Sequence, residues 1–116
     1  MAKRGDRVAP PPRAGDWELQ FFTTDAAKGW DELCKQARGP TREAWDIISR
    51  DPRERQNPRR QHQLHGEYAT RSIGGKALEQ WQFEVTGAGR IWYCPDDARR
   101  IVHVTLASCG HPSETD

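Results

Sequence analysis

The sequence predicts an α+β domain built as one strand, two helices and then a run of antiparallel strands. Three observations carry this. Trp17–Thr23 alternates apolar and polar side chains almost throughout, which is the period of a half-buried strand. Residues 25–50 repeat apolar side chains at three- and four-residue spacing, in two blocks separated by Arg38-Gly39-Pro40. From Tyr68 onward, short strand-like stretches alternate with turns rich in glycine or aspartate.

Taken in order, the first strand puts Trp17, Leu19 and Phe21 on one face. Thr24 or Asp25 is placed to cap a helix over 25–37, whose stripe is Ala26, Ala27, Trp30, Leu33, Cys34 and Ala37. Gly39 is expected as a left-handed cap, with Pro40 unable to continue the helix. A second helix over 41–50 turns Ala44, Trp45, Ile47 and Ile48 inward and ends at Asp51-Pro52. So short a link makes the pair an antiparallel two-helix hairpin. Residues 52–60, PRERQNPRR, read as a polar loop; across Arg50–Arg60 five arginines face only Asp51 and Glu54.

Four strands are expected after it, at Tyr68–Ile73, Leu78–Val85, Arg90–Cys94 and Arg100–Ala107, as a four-stranded antiparallel meander. Gly74-Gly75-Lys76, Thr86-Gly87-Ala88-Gly89 and Pro95-Asp96-Asp97 supply the turns.

With 116 residues the chain is expected to be one domain. Its hydrophobic content of 34% is low, but five Trp, three Phe and two Tyr are too many aromatics for a disordered chain. Residues 1–16 hold Pro10, Pro11 and Pro12 and no bulky run, so they are expected to be a flexible arm ahead of a domain over 17–116. No apolar run is long enough for a membrane span or a secretory leader. Cys34, Cys94 and Cys109 are too few and too scattered for a disulfide framework, which fits a reducing cytoplasm. The net charge of +1 excludes a strongly basic field over the whole protein. Any nucleic-acid contact must come from a local cluster.

The chemistry-bearing residues narrow the field. His62, His65, Cys109 and His111 have no Cys-x-x-Cys pairing, so no metal site and no cofactor is expected. Ser108 lacks the setting of a nucleophile, Cys94 sits within a strand, and neither glycine-rich turn has the Walker pattern. What remains is Arg71, Arg90, His62, His65, His111 and Lys76 around a sheet. Such a set suits RNA cleavage. Arginine grips a phosphodiester through parallel hydrogen bonds and a permanent charge. Histidine, with an ordinary pKa of about 6.5, can take the 2′-OH proton or protonate the leaving 5′ oxygen. The faces of Tyr68 or Trp92 offer a base something to stack on. The same residues also fit a plain solvated sheet face.

Gly89-Arg90-Ile91-Trp92-Tyr93-Cys94-Pro95-Asp96-Asp97, followed by Arg100-Ile101-Val102-His103-Val104, resembles the closing hairpin of RelE/ParE-superfamily toxins. His62-Gln63-Leu64-His65-Gly66 resembles the short Leu-x-Gly lead into their sheet, and Gly110-His111-Pro112-Ser113-Glu114-Thr115 the His-Pro ending of some RelE-like members. The resemblance covers roughly residues 17–116 and points to the RelE-like, HigB-like subgroup.

It implies the toxin of a type II toxin–antitoxin system, a small cytoplasmic protein neutralised in a hetero-oligomer with a cognate antitoxin. RelE-like members are metal-independent mRNA endoribonucleases that inhibit translation and arrest growth, usually by cutting on the ribosome. ParE-like members instead poison DNA gyrase without catalysis, and an inert binding module on the same fold is a third reading.

By position, the resemblance gives Arg71 and Arg90 as sheet arginines and His111 as the terminal proton-transfer group. Arg59, Arg60 and His62 fall in the RNA-holding loop, with His65 and Lys76 as further RNA contacts. The exposed side of helix 41–50 and the edge strand Trp17–Thr23 are the expected antitoxin contacts. The chain departs from the family in its near-neutral charge and in having Lys76 as its only lysine over residues 36–116.

Overall fold

The computed structural model describes residues 2–110. The fold is α+β, with strand β1 (Glu18–Phe21), helices α1 (Thr24–Gln36) and α2 (Arg38–Arg50), then β2 (Gln61–Gln63), β3 (Thr70–Ile73), β4 (Lys76–Glu79), β5 (Trp81–Glu84), β6 (Arg90–Asp96) and β7 (Ile101–Ser108). Five strands form one mixed sheet in the order β1-β7-β6-β5-β2, with β1 parallel to β7 and the other pairs antiparallel. Among the described residues no helix is long and apolar enough to cross a membrane.

One face of the sheet carries the core. Leu19 and Phe21 of β1, Trp81 and Phe83 of β5, Ile91 and Tyr93 of β6, and Val102 and Val104 of β7 pack with Ala26, Trp30 and Leu33 of α1 and Ala44, Trp45 and Ile48 of α2. Thr23 caps α1, its Oγ1 accepting from the Ala26 N–H at 2.9 Å. The helices meet with no linker: Ala37 ends α1 and precedes α2. The second helix therefore begins three residues earlier than expected. Pro40 sits in its first turn, where the missing N–H has no helical acceptor to lose. Gly39 is accordingly helical rather than a left-handed cap.

The expected meander is divided. Residues 78–85 do not form one strand, because Gln80 leaves the ladder. Its N–H donates to the Ala69 carbonyl and its carbonyl accepts from the Leu64 N–H. β3 and β4 become a separate two-stranded hairpin, closed by Gly74 and Gly75, both at positive φ as a tight two-residue turn requires. β5 pairs instead with β2, inside the stretch where no strand was expected. Arg53 ties the hairpin down. Its guanidinium reaches Glu79 of β4 at 3.0 Å and holds Asp97, beyond β6, through two bonds of 3.0 Å.

The amino-terminal segment also differs from expectation. Residues 5–8 run along β1 rather than free, with Val8 N–H donating to Leu19 O, Phe21 N–H to Asp6 O and Gly5 N–H to Phe21 O. Val8 is buried and its carbonyl accepts from the Trp45 indole N–H at 3.2 Å. Composition misses this because the driving feature is the unpaired edge of β1, which offers backbone bonds to whatever lies beside it.

Helix α1 approaches β7 at Gly29. A Cβ there would stand 1.8 Å from the Ala107 carbonyl oxygen, whereas one on Gly39 would meet nothing within 4 Å. Gly29→Ala is expected to lower stability by about 1–3 kcal/mol, as overpacking does, while Gly39→Ala is neutral or slightly stabilising. Urea melts of both variants check the contrast.

Candidate nucleic-acid interface

The sheet face away from the helices carries the candidate site. His62 pairs in register with Gln82, Gln82 with Trp92, and Trp92 with Leu106, so four side chains form a row across β2, β5, β6 and β7. At about 4.8 Å per strand the row spans about 14 Å. Trp92 donates its indole N–H to Gln82 Oε1 at 2.9 Å. Over Trp92 leans Tyr68, ring centroids 5.4 Å apart, 51% exposed and the one large apolar side chain left in solvent among the described residues. His65 stacks on His62 at 6.2 Å. The Pro58 carbonyl, an acceptor only, lies 3.1 Å from His62 Nδ1. That nitrogen therefore carries the proton, and in the neutral ring Nε2 keeps its lone pair.

The row ends at a groove. Between α1 and the outer half of β7 lies a cleft of about 780 Å³, walled by Asp25, Gly29 and Glu32 of the helix, by Thr105–Cys109, and by Arg71 of the hairpin. It exists because β1 pairs only with Ile101–Val104, leaving the second half of β7 without that neighbour. The Arg71 guanidinium lies 5.1 Å over the Phe22 ring. Among the described residues it is in no ion pair, although Asp25 and Glu32 line the same cleft.

Not every expected residue joins them. Arg90 is beside the groove in register, opposite Ser108, but its guanidinium is spent on its own turn. Nη1 donates to the carbonyls of Thr86, Gly87 and Gly89 at 3.0–3.3 Å and lies 3.8 Å from Glu84. The expected transition-state cation is thus a clamp on residues 86–89. Arg60 is likewise withdrawn. It lies over the Phe83 ring on the core side, donating to Glu84 O and pairing with Glu43 at 2.8 Å. A solvated loop arginine was expected there, but a ring and two acceptors capture it. Arg59 is exposed beside Asn57 and Thr86, away from the row, and Lys76 is exposed at the hairpin tip. His111 lies outside the described residues. Cys109, two residues before it, is on the groove wall with Arg71.

Three functional or supporting groups escaped the sequence reading. Gln82 lies within the expected strand Leu78–Val85 and was given no role there. Gln80 accepts from Thr105 Oγ1 at 2.6 Å and donates to the Tyr68 carbonyl at 3.0 Å, which ties the Tyr68 loop to the bulge in β7. His103 and Asp96 form a buried pair at 3.3 Å. Only Gln80 announced itself, as a buried-type position occupied by an amide between two strands. Cys94, across from His103, has its thiol pushed up to about 12 by burial, which removes it as a nucleophile. Among the described residues no three His, Cys, Asp or Glu side chains gather as metal ligands.

The arrangement offers aromatic faces, an oriented amide, an imidazole and a guanidinium along one strip. Its length suits a linked chain of phosphates and bases better than a single small anion. The sequence matches no family model and no curated protein.

Two outcomes follow from these placements. Arg90→Ala is expected to cost about 1–3 kcal/mol of stability by orphaning the turn carbonyls, whereas Arg71→Ala leaves the melting temperature within about 1–2 °C. Thermal melts separate the two. In thiol labelling at pH 8, Cys94 stays unmodified in the folded protein and reacts only after denaturation, as read by peptide mapping.

Proposed function

We propose that the chain is a toxin of the RelE/ParE kind: a metal-independent endoribonuclease that cuts mRNA, arrests translation and is held in check by a cognate antitoxin. The observation that carries this reading is the strip just described, which runs from the His62–His65 stack across Gln82 and Trp92 to an arginine that makes no ion pair among the described residues. The order of strand, two helices and closing strands supports it, as does the Gly89–Asp97 segment with its continuation into β7.

Bases of a single strand stack along Tyr68 and Trp92, and cleavage takes place at the groove end. There Arg71 holds the phosphodiester and meets the charge that develops on it. The 2′ oxygen attacks the adjacent phosphorus, the P–O5′ bond breaks, and a 2′,3′-cyclic phosphate and a 5′ hydroxyl result. One group must take the 2′ proton and another must supply the 5′ proton. His111, two residues after Cys109 in the sequence, is the position the resemblance assigns to proton transfer. His62 Nε2, at the far end of the strip, is a contact for a neighbouring nucleotide. With a net charge of only +1, long-range attraction contributes little, so recognition rests on these local contacts. The antitoxin is a protein that covers the same strip or the groove beside it.

Induction of the wild-type chain without an antitoxin is expected to arrest growth and produce discrete new mRNA 5′ ends. Arg71→Ala is expected to reduce cleavage by about 10²–10³-fold while the protein stays folded. A DNA-damage response with intact mRNA would instead mark a gyrase poison, and no growth effect at all would mark a binding module without toxicity.

A further inference from the structure

We propose that Gln82 makes the strip selective for unpaired bases that present a carbonyl, guanine and uracil, over those that present an amino group, adenine and cytosine. This rests on the reading of the strip as an RNA site and deepens it to the level of base recognition.

The argument begins with an amide that has no choice of orientation. An indole N–H can only donate, so the atom 2.9 Å from Trp92 Nε1 must be the Gln82 carbonyl oxygen. That interaction fixes which end of the amide faces which way, a point that shape alone leaves open. The Gln82 nitrogen, with two N–H donors, has no partner among the described residues. Gln82 is half-buried at the middle of the row, between His62 and Trp92, and the Trp92 ring carries Tyr68. A base stacked on this aromatic pair therefore meets a donor-only group at its edge.

The consequence is set by base chemistry. The edge set against Gln82 is the one that carries the 4- or 6-substituent: there guanine presents O6 and N7 and uracil O4, all acceptors, whereas adenine keeps N7 as an acceptor beside its N6 hydrogens and cytosine offers its N4 hydrogens, so the amino group of each sets donor against donor. A free glutamine normally recognises adenine by using its oxygen and nitrogen together. Here the oxygen is already occupied by Trp92, so that mode is closed. Trp92 thus acts as a positioning residue: it stacks, and it also decides what Gln82 can read.

The test uses the full chain and four single-stranded oligoribonucleotides that differ at one central base, blocked against cleavage by 2′-O-methylation. Binding is read by the fluorescence anisotropy of a dye carried on the 3′ end of each oligomer, a signal that no substitution in the protein removes. The wild type is expected to bind the G and U oligomers about tenfold more tightly than the A and C oligomers. Gln82→Glu, which offers only acceptors, is expected to reverse the order. Trp92→Phe, which frees the amide to turn over, is expected to erase it while leaving measurable binding. Equal affinity for all four in the wild type, or an unchanged order in both variants, overturns the selectivity and leaves the RNA reading standing. Binding to none of the four overturns both. Circular dichroism confirms that each variant is folded, and the two variants act through different atoms, so loss of one does not remove the test.

Discussion

The unequal lengths of two paired strands shape this molecule. β7 has eight residues and its parallel neighbour β1 has four, so only the first half of β7 is paired on that side. The chain leaves β1 at Phe22, caps a helix at Thr23 and sends that helix across the outer part of β7, close enough at Gly29 that no side chain fits between. The cleft along Thr105–Cys109 is the space left by that departure, and Arg71 closes it from the hairpin side. Had β1 continued for four more residues, the sheet would be more regular and the groove would be filled by a strand.

The sheet shows how polar groups can be buried without penalty. Gln80 and Thr105 satisfy each other, Trp92 satisfies the Gln82 carbonyl, and Gln61 donates to the hydroxyl of Tyr93, which itself donates to the Pro52 carbonyl. A buried amide left unpaired costs about 1–3 kcal/mol, so these pairings explain why glutamines recur through residues 61–82 of a sheet that would otherwise favour threonine or valine. They also fix the orientation of side chains that would swing freely in solvent.

Much of the fold was legible because periodicity reports burial directly. The stripe of Ala26, Ala27, Trp30 and Leu33 and the alternation of Leu19 with Phe21 both face the core. What could not be read was the pairing of backbone groups. Nothing in the side chains of residues 5–8 says that they will lie along β1, and three residues of β2 are too few to produce a pattern. The split at Gln80 is decided by partners in the Leu64–Ala69 loop, which are local in space but not in pattern. The site was legible by residue type and not by use. Arg71, Arg90 and Arg60 look equivalent in sequence, yet one lies over an aromatic ring with no ion pair among the described residues, one clamps a turn and one is held between a ring and a carboxylate. Only the neighbours each guanidinium finds distinguish them.

Arg53 gives the arrangement an electrolyte dependence. The β3–β4 hairpin shares no ladder with the main sheet, and the end of β4 is tied to the turn after β6 by one guanidinium bridging two carboxylates that are 45% and 69% exposed. Bonds of that kind weaken as dissolved ions compete for them. The hairpin carries Arg71 on β3, whose Ile73 is buried, so apolar packing sets where that charge lies and the ionic surroundings add to how firmly it is held over the cleft.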